Sequence, residues 1–208
     1  MNTPSYLVLS DEVLDALYDV RKAQDAVRYL IVKTVGIHGL ISAQRLGSLL
    51  YLAEREFFNR YNEPLTGDIF SKNAQGFVLQ KTHQWLTNSK AEIGNKVVAI
   101  QPDGTLRAVF PQEDIPDFFS RETHLSDADI EVLDFVLLNF IHLNADELAD
   151  YIYHSYTESN SFSPEDGTIT HLSLLKALGY EPYQIHAILE HLEEIASLNL
   201  TFTQFGSK

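Results

Sequence analysis

A chain of 208 residues that is 45% hydrophobic, with twelve Phe and ten Tyr, carries enough apolar area for a packed core, which argues against intrinsic disorder. Its 29 acidic and 15 basic residues leave a net charge of −14, so phosphate backbones and anionic membrane surfaces are disfavoured partners. The absence of cysteine excludes disulfides, thiolate catalysis and cysteine zinc sites.

The N-terminal MNTPSYLVLSDEVLD lacks the basic start and apolar core of a signal peptide. No apolar run approaches the length of about 20 residues that spans a bilayer, so a soluble, cytoplasmic protein is expected. Ser10 is placed to cap a first helix running to about Lys33, with Asp11 and Glu12 at its positive end. The apolar stripe Val13, Leu14, Leu17, Val20, Val27, Leu30, Ile31 thins at Arg21 to Asp25, which would let the helix break near Lys22. Gly36 to Gly39, with His38, reads as a turn. Ser42 then caps a helix whose Leu46, Leu49, Leu50, Ala53 and Phe57 share one face and which must stop before Pro64. A turn at Gly67, a short apolar piece at Gly76, Phe77 and Val78, and a helix over Lys81 to Leu86 follow, ahead of polar Thr87 to Lys90.

Val97 to Ile100 and Thr105 to Phe110 flank Gln101-Pro102-Asp103-Gly104, which predicts a β-hairpin. Pro111 to His124 reads as a loop anchored by Phe118 and Phe119. Ser126 with Asp129 signals a capped helix from Asp127 to about Ile141; apolar on nearly every side from Phe135 onward, it reads as the buried central helix. Asn144 with Glu147 opens the next, with Leu148, Ala149, Ile152 and Tyr156 inward. After a polar loop from Thr157 to Gly167, Thr170 caps a helix to Leu178 that ends at Gly179, and Pro182 starts an amphipathic helix lined by Ile185, Ile188, Leu189, Leu192 and Ile195. The alternating Leu198, Leu200 and Phe202 suggest a short terminal strand beside the hairpin. The fold expected is mainly α, a compact single-domain helical bundle with a small antiparallel β-hairpin element.

The order of features from Arg45 onward resembles the Panacea domain family, the SocA- and GepA-like group. Arg45 and Leu46 match its opening Lys-Leu, and Leu49, Leu50, Tyr51 and Ala53 match its LLYxA run. Glu63, Pro64 and Leu65 match its Pro-Leu element, and Gly76 and Val78 match its Gly-Pro-Val turn, with Phe77 in place of the proline. Gly47 and Ser48 also depart from the family's Gln-Lys. The resemblance spans roughly Asp25 to Tyr156, with His154 where members often carry a histidine. It implies a helical core over 25–160 with the hairpin near 97–110, an N-terminal helical extension over 1–24, and C-terminal helices over 161–208 packed on the same domain. It also implies a non-enzymatic antitoxin of bacterial or phage origin that neutralises a toxin encoded beside it by direct binding.

Candidate chemistry is sparse. His186, Glu190, His191 and Glu194 crowd one helix, but H-E-x-x-H is absent and no third ligand is indicated, so a solvated polar face is the reading adopted. No nucleophile elbow or phosphate-cradling glycine motif occurs, and Ser48 sits inside an apolar helix. No catalytic, metal or cofactor-binding residue is assigned. His154, among Tyr151, Tyr153 and Tyr156, is either a hydrogen-bonding post in a recognition groove or a buried polar residue satisfied by a backbone carbonyl. Trp85 is either a core residue or an interface anchor. Asp127, Asp129, Glu131 and Asp134, then Asp146, Glu147 and Asp150, give neighbouring helices an acidic face suited to a basic partner protein. Trp85, Asp146, Glu147 and Asp150 are the expected partner contacts. Two rival readings remain: a DNA-binding or phage regulatory protein using Ile169 to Ile195 as helix-turn-helix, and a hydrolase using His154 with nearby carboxylates.

Overall fold

The computed structural model describes residues 9–73, 76–88, 97–110, 123–156 and 168–206. The expected loops at 111–122 and 157–167, and residues 89 and 90 of the polar stretch, lie outside that set. Helix α3 (Ala43–Tyr61) holds the centre. Ser42 caps it by accepting from the Arg45 N–H at 3.2 Å, and Leu46, Leu49, Leu50, Tyr51, Ala53 and Phe58 are essentially sealed from water. Each large side chain so buried contributes roughly 1.5–3 kcal/mol. The helix ends on Asn62 in the left-handed conformation, whose N–H closes on the Phe58 carbonyl at 2.9 Å, two residues ahead of Pro64.

Helices α1 (Asp11–Leu17) and α2 (Val20–Val35) divide the stretch expected to be helical to about Lys33, as the thinning of its stripe allowed. The break falls at Tyr18 and Asp19, before Lys22, because Asp19 is itself an N-cap. Its carboxylate accepts from the Arg21 and Lys22 N–H groups, while its own N–H donates to the Thr66 carbonyl at 2.8 Å. Helix α4 (Gln80–Thr87) follows two short strands, and helices α5 (Asp127–Phe140) and α6 (Ala145–Ser155) each open on a reciprocal capping box, Ser126 with Asp129 and Asn144 with Glu147.

Helix α5 is not the buried centre. Val132, Leu133, Val136 and Leu137 pack inward against α2 and α3, while Phe135, Leu138 and Ile141 face solvent. Its neighbours cover only one side, so its apolar composition is spent on two faces.

Strands β1 (Ile41–Ser42), β4 (Val98–Ile100) and β5 (Thr105–Ala108) form one antiparallel sheet in the order β1-β5-β4. The hairpin between the last two pairs Val98 with Ala108 and Ile100 with Leu106, and its turn closes through the Gly104 N–H on the Gln101 carbonyl. A second antiparallel sheet, unforeseen in the sequence, orders β2 (Phe70–Asn73) between β3 (Gly76–Leu79) and β6 (Thr168–Ile169). Helix α7 (His171–Ala177) leads into α8 (Pro182–Gly206), which corrects the terminal strand expected at 198–202. Leu192 and Ala196 prolong the buried stripe, and the Asn199 side chain donates to the Ala16 carbonyl at 3.0 Å, so the tail stays helical against α1. One apolar cluster runs from Leu9 to Ala196. The mainly helical fold with a small antiparallel hairpin element is the one the sequence predicts, and the second sheet is added to it.

Candidate partner-binding face

A buried polar network surrounds Glu54 of α3. Glu54, 1% exposed, points from α3 into the chain just beyond that helix. Its carboxyl accepts from the Thr66 N–H (3.0 Å), the Thr66 hydroxyl (3.0 Å) and the Gly67 N–H (3.3 Å). Burial outweighs these bonds and pushes its pKa up to about 8, with Asp68 nearby adding to the rise. Asp68, also sealed from water, accepts from the Ile69, Lys81 and Thr82 N–H groups. It thus satisfies orphan donors at the start of α4, where no local side chain caps the helix. Burial raises its pKa as well. The chain continues through the Tyr18 hydroxyl, 3.3 Å from that of Thr82 and accepting from the Trp85 indole at 3.0 Å. Gly67, at φ +75°, lies so close to α1 that a Cβ there would sit 2.0 Å from the Leu17 carbonyl oxygen.

The opposite end of α3 grips the turn between α5 and α6. Arg45 donates to the Ile141 carbonyl at the C-terminus of α5, where a cation also meets the negative end of the helix dipole. Gln44 reaches the Asp146 carboxylate in the first turn of α6 at 3.4 Å. Further along α3, Arg55 stacks on the Tyr156 ring at 3.9 Å, and Arg60 pairs with Glu56 (2.7 Å) and Glu131 (2.8 Å).

The face so positioned is apolar on α5 and acidic on α6. Leu138 is 81% exposed, and Phe135 and Ile141 flank it over a shallow groove of about 650 Å³. Residues 126–156 hold seven carboxylates and no Lys or Arg. Five of the seven accept from a described residue: Asp129 from Lys22, Glu131 from Arg60, Asp134 from the Tyr29 hydroxyl at 2.6 Å, Asp146 from the Gln44 side chain and Glu147 from the Asn144 N–H. Asp127, Asp146, Glu147 and Asp150 form no ion pair with any described residue. Tyr151, packed on Phe140 with centroids 5.0 Å apart, and Tyr153 are both partly open to solvent.

The residues singled out in the sequence divide between interior and face. Leu46, Leu49, Leu50, Tyr51, Ala53, Leu65 and Val78 are buried, Pro64 is half-buried, and Gly76 begins β3. Trp85 is 6% exposed, so it anchors the core and is corrected as a partner contact. Asp146, Glu147 and Asp150 lie exposed on α6. His154 is exposed, against the reading that buried it, and its Nδ1 lies 2.8 Å from the Asp150 carbonyl of its own helix. His186 and Glu190 meet at 3.3 Å, and His191 turns instead to Glu63 at 3.1 Å. Among the described residues no three His, Asp or Glu converge as metal ligands. The helix-turn-helix candidate becomes α7 and α8, but α8 carries no Lys or Arg and presents Glu190, Glu193 and Glu194, and the tail that would have supplied a wing strand beside it is helical. Among the described residues no helix is long and apolar enough to cross a membrane.

Phe135, Leu138 and Ile141 went unrecognised as a surface because an apolar helix face reads alike whether it meets a core or a partner. A family model described as antitoxin SocA-like, Panacea domain, matches residues 48–157, more than half of the 208-residue chain, and takes in α5 and α6 whole. No curated protein and no solved structure shows significant similarity to it.

Proposed function

This chain belongs to the antitoxin SocA-like, Panacea domain family, and we propose that it neutralises a partner toxin by binding it directly through the α5–α6 face. The observation that carries this reading is the solvent-facing leucine on α5, within the family's own stretch, beside α6 carboxylates that form no ion pair with any described residue. A monomer gains nothing from leaving a large aliphatic side chain in water, whereas an interface uses such a residue as its anchor. The toxin is a basic protein encoded beside it in a bacterial or phage genome, and the complex forms in the cytoplasm. Complementary charge accelerates encounter, and apolar burial then holds the pair. The chain acts by occupancy and performs no turnover. The acidic α8 disfavours the DNA-binding alternative, since nothing on it would neutralise phosphate.

The test is growth rescue with copurification. The neighbouring gene is expressed alone, with this chain, and with Leu138→Glu. Toxicity that the wild type relieves, with stoichiometric retention that Leu138→Glu abolishes, supports the proposal. A harmless neighbour that does not copurify sinks it.

A further inference from the structure

The face has a polarity that specifies what lies on it. Its apolar half is the groove over Phe135, Leu138 and Ile141, walled by Lys33 on α2 and Arg60 on α3. The charges around this groove are already engaged. Arg60 is held by Glu56 and Glu131, Asp134 by the Tyr29 hydroxyl, and Lys33 sits 5.1 Å over the Tyr29 ring. The groove therefore asks for apolar side chains. Past the turn, Asp146, Glu147 and Asp150 of α6 form no ion pair with any described residue; on α5 the same holds for Asp127, which lies at the far N-terminal end of that helix from Leu138.

Resting on the antitoxin reading above, we propose that the partner element docked here is an amphipathic helix with apolar side chains gathered at one end and Lys and Arg at the other. The apolar end seats on Leu138 and the cationic end meets the α6 carboxylates. An amphipathic helix suits a groove between helices because residues at three- and four-residue spacing offer a continuous apolar edge. A second copy of this chain is a poor occupant. A two-fold contact sets the same patch against itself; residues 126–156 have no Lys or Arg to offer, and the cations on the groove wall, Lys33 and Arg60, already lie against Tyr29 and against Glu56 and Glu131. Anionic headgroups are repelled for the same reason.

The probe is a synthetic helical peptide of about 20 residues, long enough to hold helix on binding, with Leu at helical spacing in one half and Lys in the other. Two controls carry Glu for Lys, or the same residues scrambled. Affinity is read by fluorescence anisotropy at low and high salt against the intact chain and three variants. Leu138→Ala should weaken binding about tenfold at both salt concentrations, as loss of an interface anchor does. Asp146→Asn with Asp150→Asn should weaken it at low salt and flatten the salt dependence, since screening acts on the charged half alone. Glu193→Gln with Glu194→Gln, which removes the same charge from α8, should leave it unchanged. The proposal is overturned if the Glu or scrambled peptide binds as well, if Leu138→Ala has no effect, or if the α8 variant weakens binding as much as the α6 variant. It is likewise overturned if the chain is dimeric by light scattering and Leu138→Ala makes it monomeric, because the groove then belongs to a second copy.

The two proposals fail separately. A neighbouring-gene product that copurifies equally with wild type, Leu138→Ala and the α6 variant leaves neutralisation standing and removes this docking mode. Peptide binding with the expected variant pattern, but no toxic or retained neighbour, does the reverse.

Discussion

The two ends of α3 solve opposite problems. At the C-terminal end, Glu54, Asp68, Thr66, Thr82, Tyr18 and Trp85 bury polar atoms and satisfy them through a continuous run of hydrogen bonds. At the N-terminal end, Arg45 and Gln44 tie down the turn between α5 and α6, two helices along which apolar side chains stay in water and Asp127, Asp146, Glu147 and Asp150 form no ion pair with any described residue. The first region is costly to build and rigid once built, because an unsatisfied buried group costs more than a formed bond gains. The second is left incomplete on its own. A binding protein needs both, a frame that does not yield and a face whose completion comes from outside. The matched family stretch covers Glu54, Asp68, Thr66, Thr82 and Trp85 of the frame and all of the face.

The largest expected effect breaks the frame. Glu54→Leu removes the acceptor of the Thr66 and Gly67 N–H groups and of the Thr66 hydroxyl, all in a water-free interior. Each orphaned donor costs about 1–3 kcal/mol, so a loss of roughly 3–5 kcal/mol is expected in urea unfolding. A loss below about 1 kcal/mol, the typical single-mutation effect, would mean that water enters and the network is not a sealed frame.

A smaller effect follows from pH. The folded Glu54 pKa, about 8, lies above its ordinary 4.5, so the folded chain holds a proton that the unfolded chain has released. Stability is complete below about pH 4.5 and falls as pH rises through about 8. His171, buried against the Phe58 ring with its pKa lowered to about 4, acts oppositely: stability falls as pH drops below 6.5. Between pH 6.5 and 8 the histidine is silent, and Glu54 alone should cost roughly 2 kcal/mol across that interval by linkage. Asp68, whose pKa burial also raises, makes stability fall in the same direction as pH rises above its ordinary 3.8. Glu54→Gln should fold, its amide oxygen accepting from the two N–H groups while the Thr66 hydroxyl turns to accept from the amide. Chemical denaturation at several pH values should then show a flatter neutral-to-alkaline limb. An unchanged slope would place Glu54 in contact with solvent.

At the face the expectation inverts. Leu138→Glu replaces a side chain that is 81% exposed, so unfolding stability should move by less than about 0.5 kcal/mol while partner binding is lost. A variant that unfolds the chain and spares binding would exchange the roles of the two regions.

How far the sequence discloses this architecture follows from the range of each signal. Caps act over three residues, so Ser42, Ser126 and Asn144 are legible, and so is the Asp103-Gly104 turn. The cap at Asp19 was equally local, but the apolar stripe is continuous across Leu17 and Val20 and thins only from Arg21, which set the expected break a few residues too late. Glu54 and Asp68 are illegible because their partners lie at least twelve residues away in sequence for every bond but those to Ile69. A lone glutamate in a helix reads as solvated until the chain that folds over it is known. The face fails differently. Its carboxylates were read as a surface, correctly for Asp146, Glu147 and Asp150, while Asp129 is buried on Lys22 and Leu138 was assigned to the core.

The smallest effect tests the joint between the regions. Arg45 is half-buried and holds the last carbonyl of α5, so Arg45→Met should keep the packing of its stem and lose the bond and the charge at the helix end. The stability cost should be about 1 kcal/mol, the scale of a helix-end cation together with one charged hydrogen bond. Binding should weaken as well, although Arg45 lies off the groove, because Ile141 and the start of α6 lose the tie that sets their angle to each other. Lysine at this position should restore the dipole term and only part of the affinity, since it cannot present a planar fork to the carbonyl. If Arg45→Met lowers stability and leaves partner affinity untouched, the face holds its own shape, and α3 is merely its neighbour.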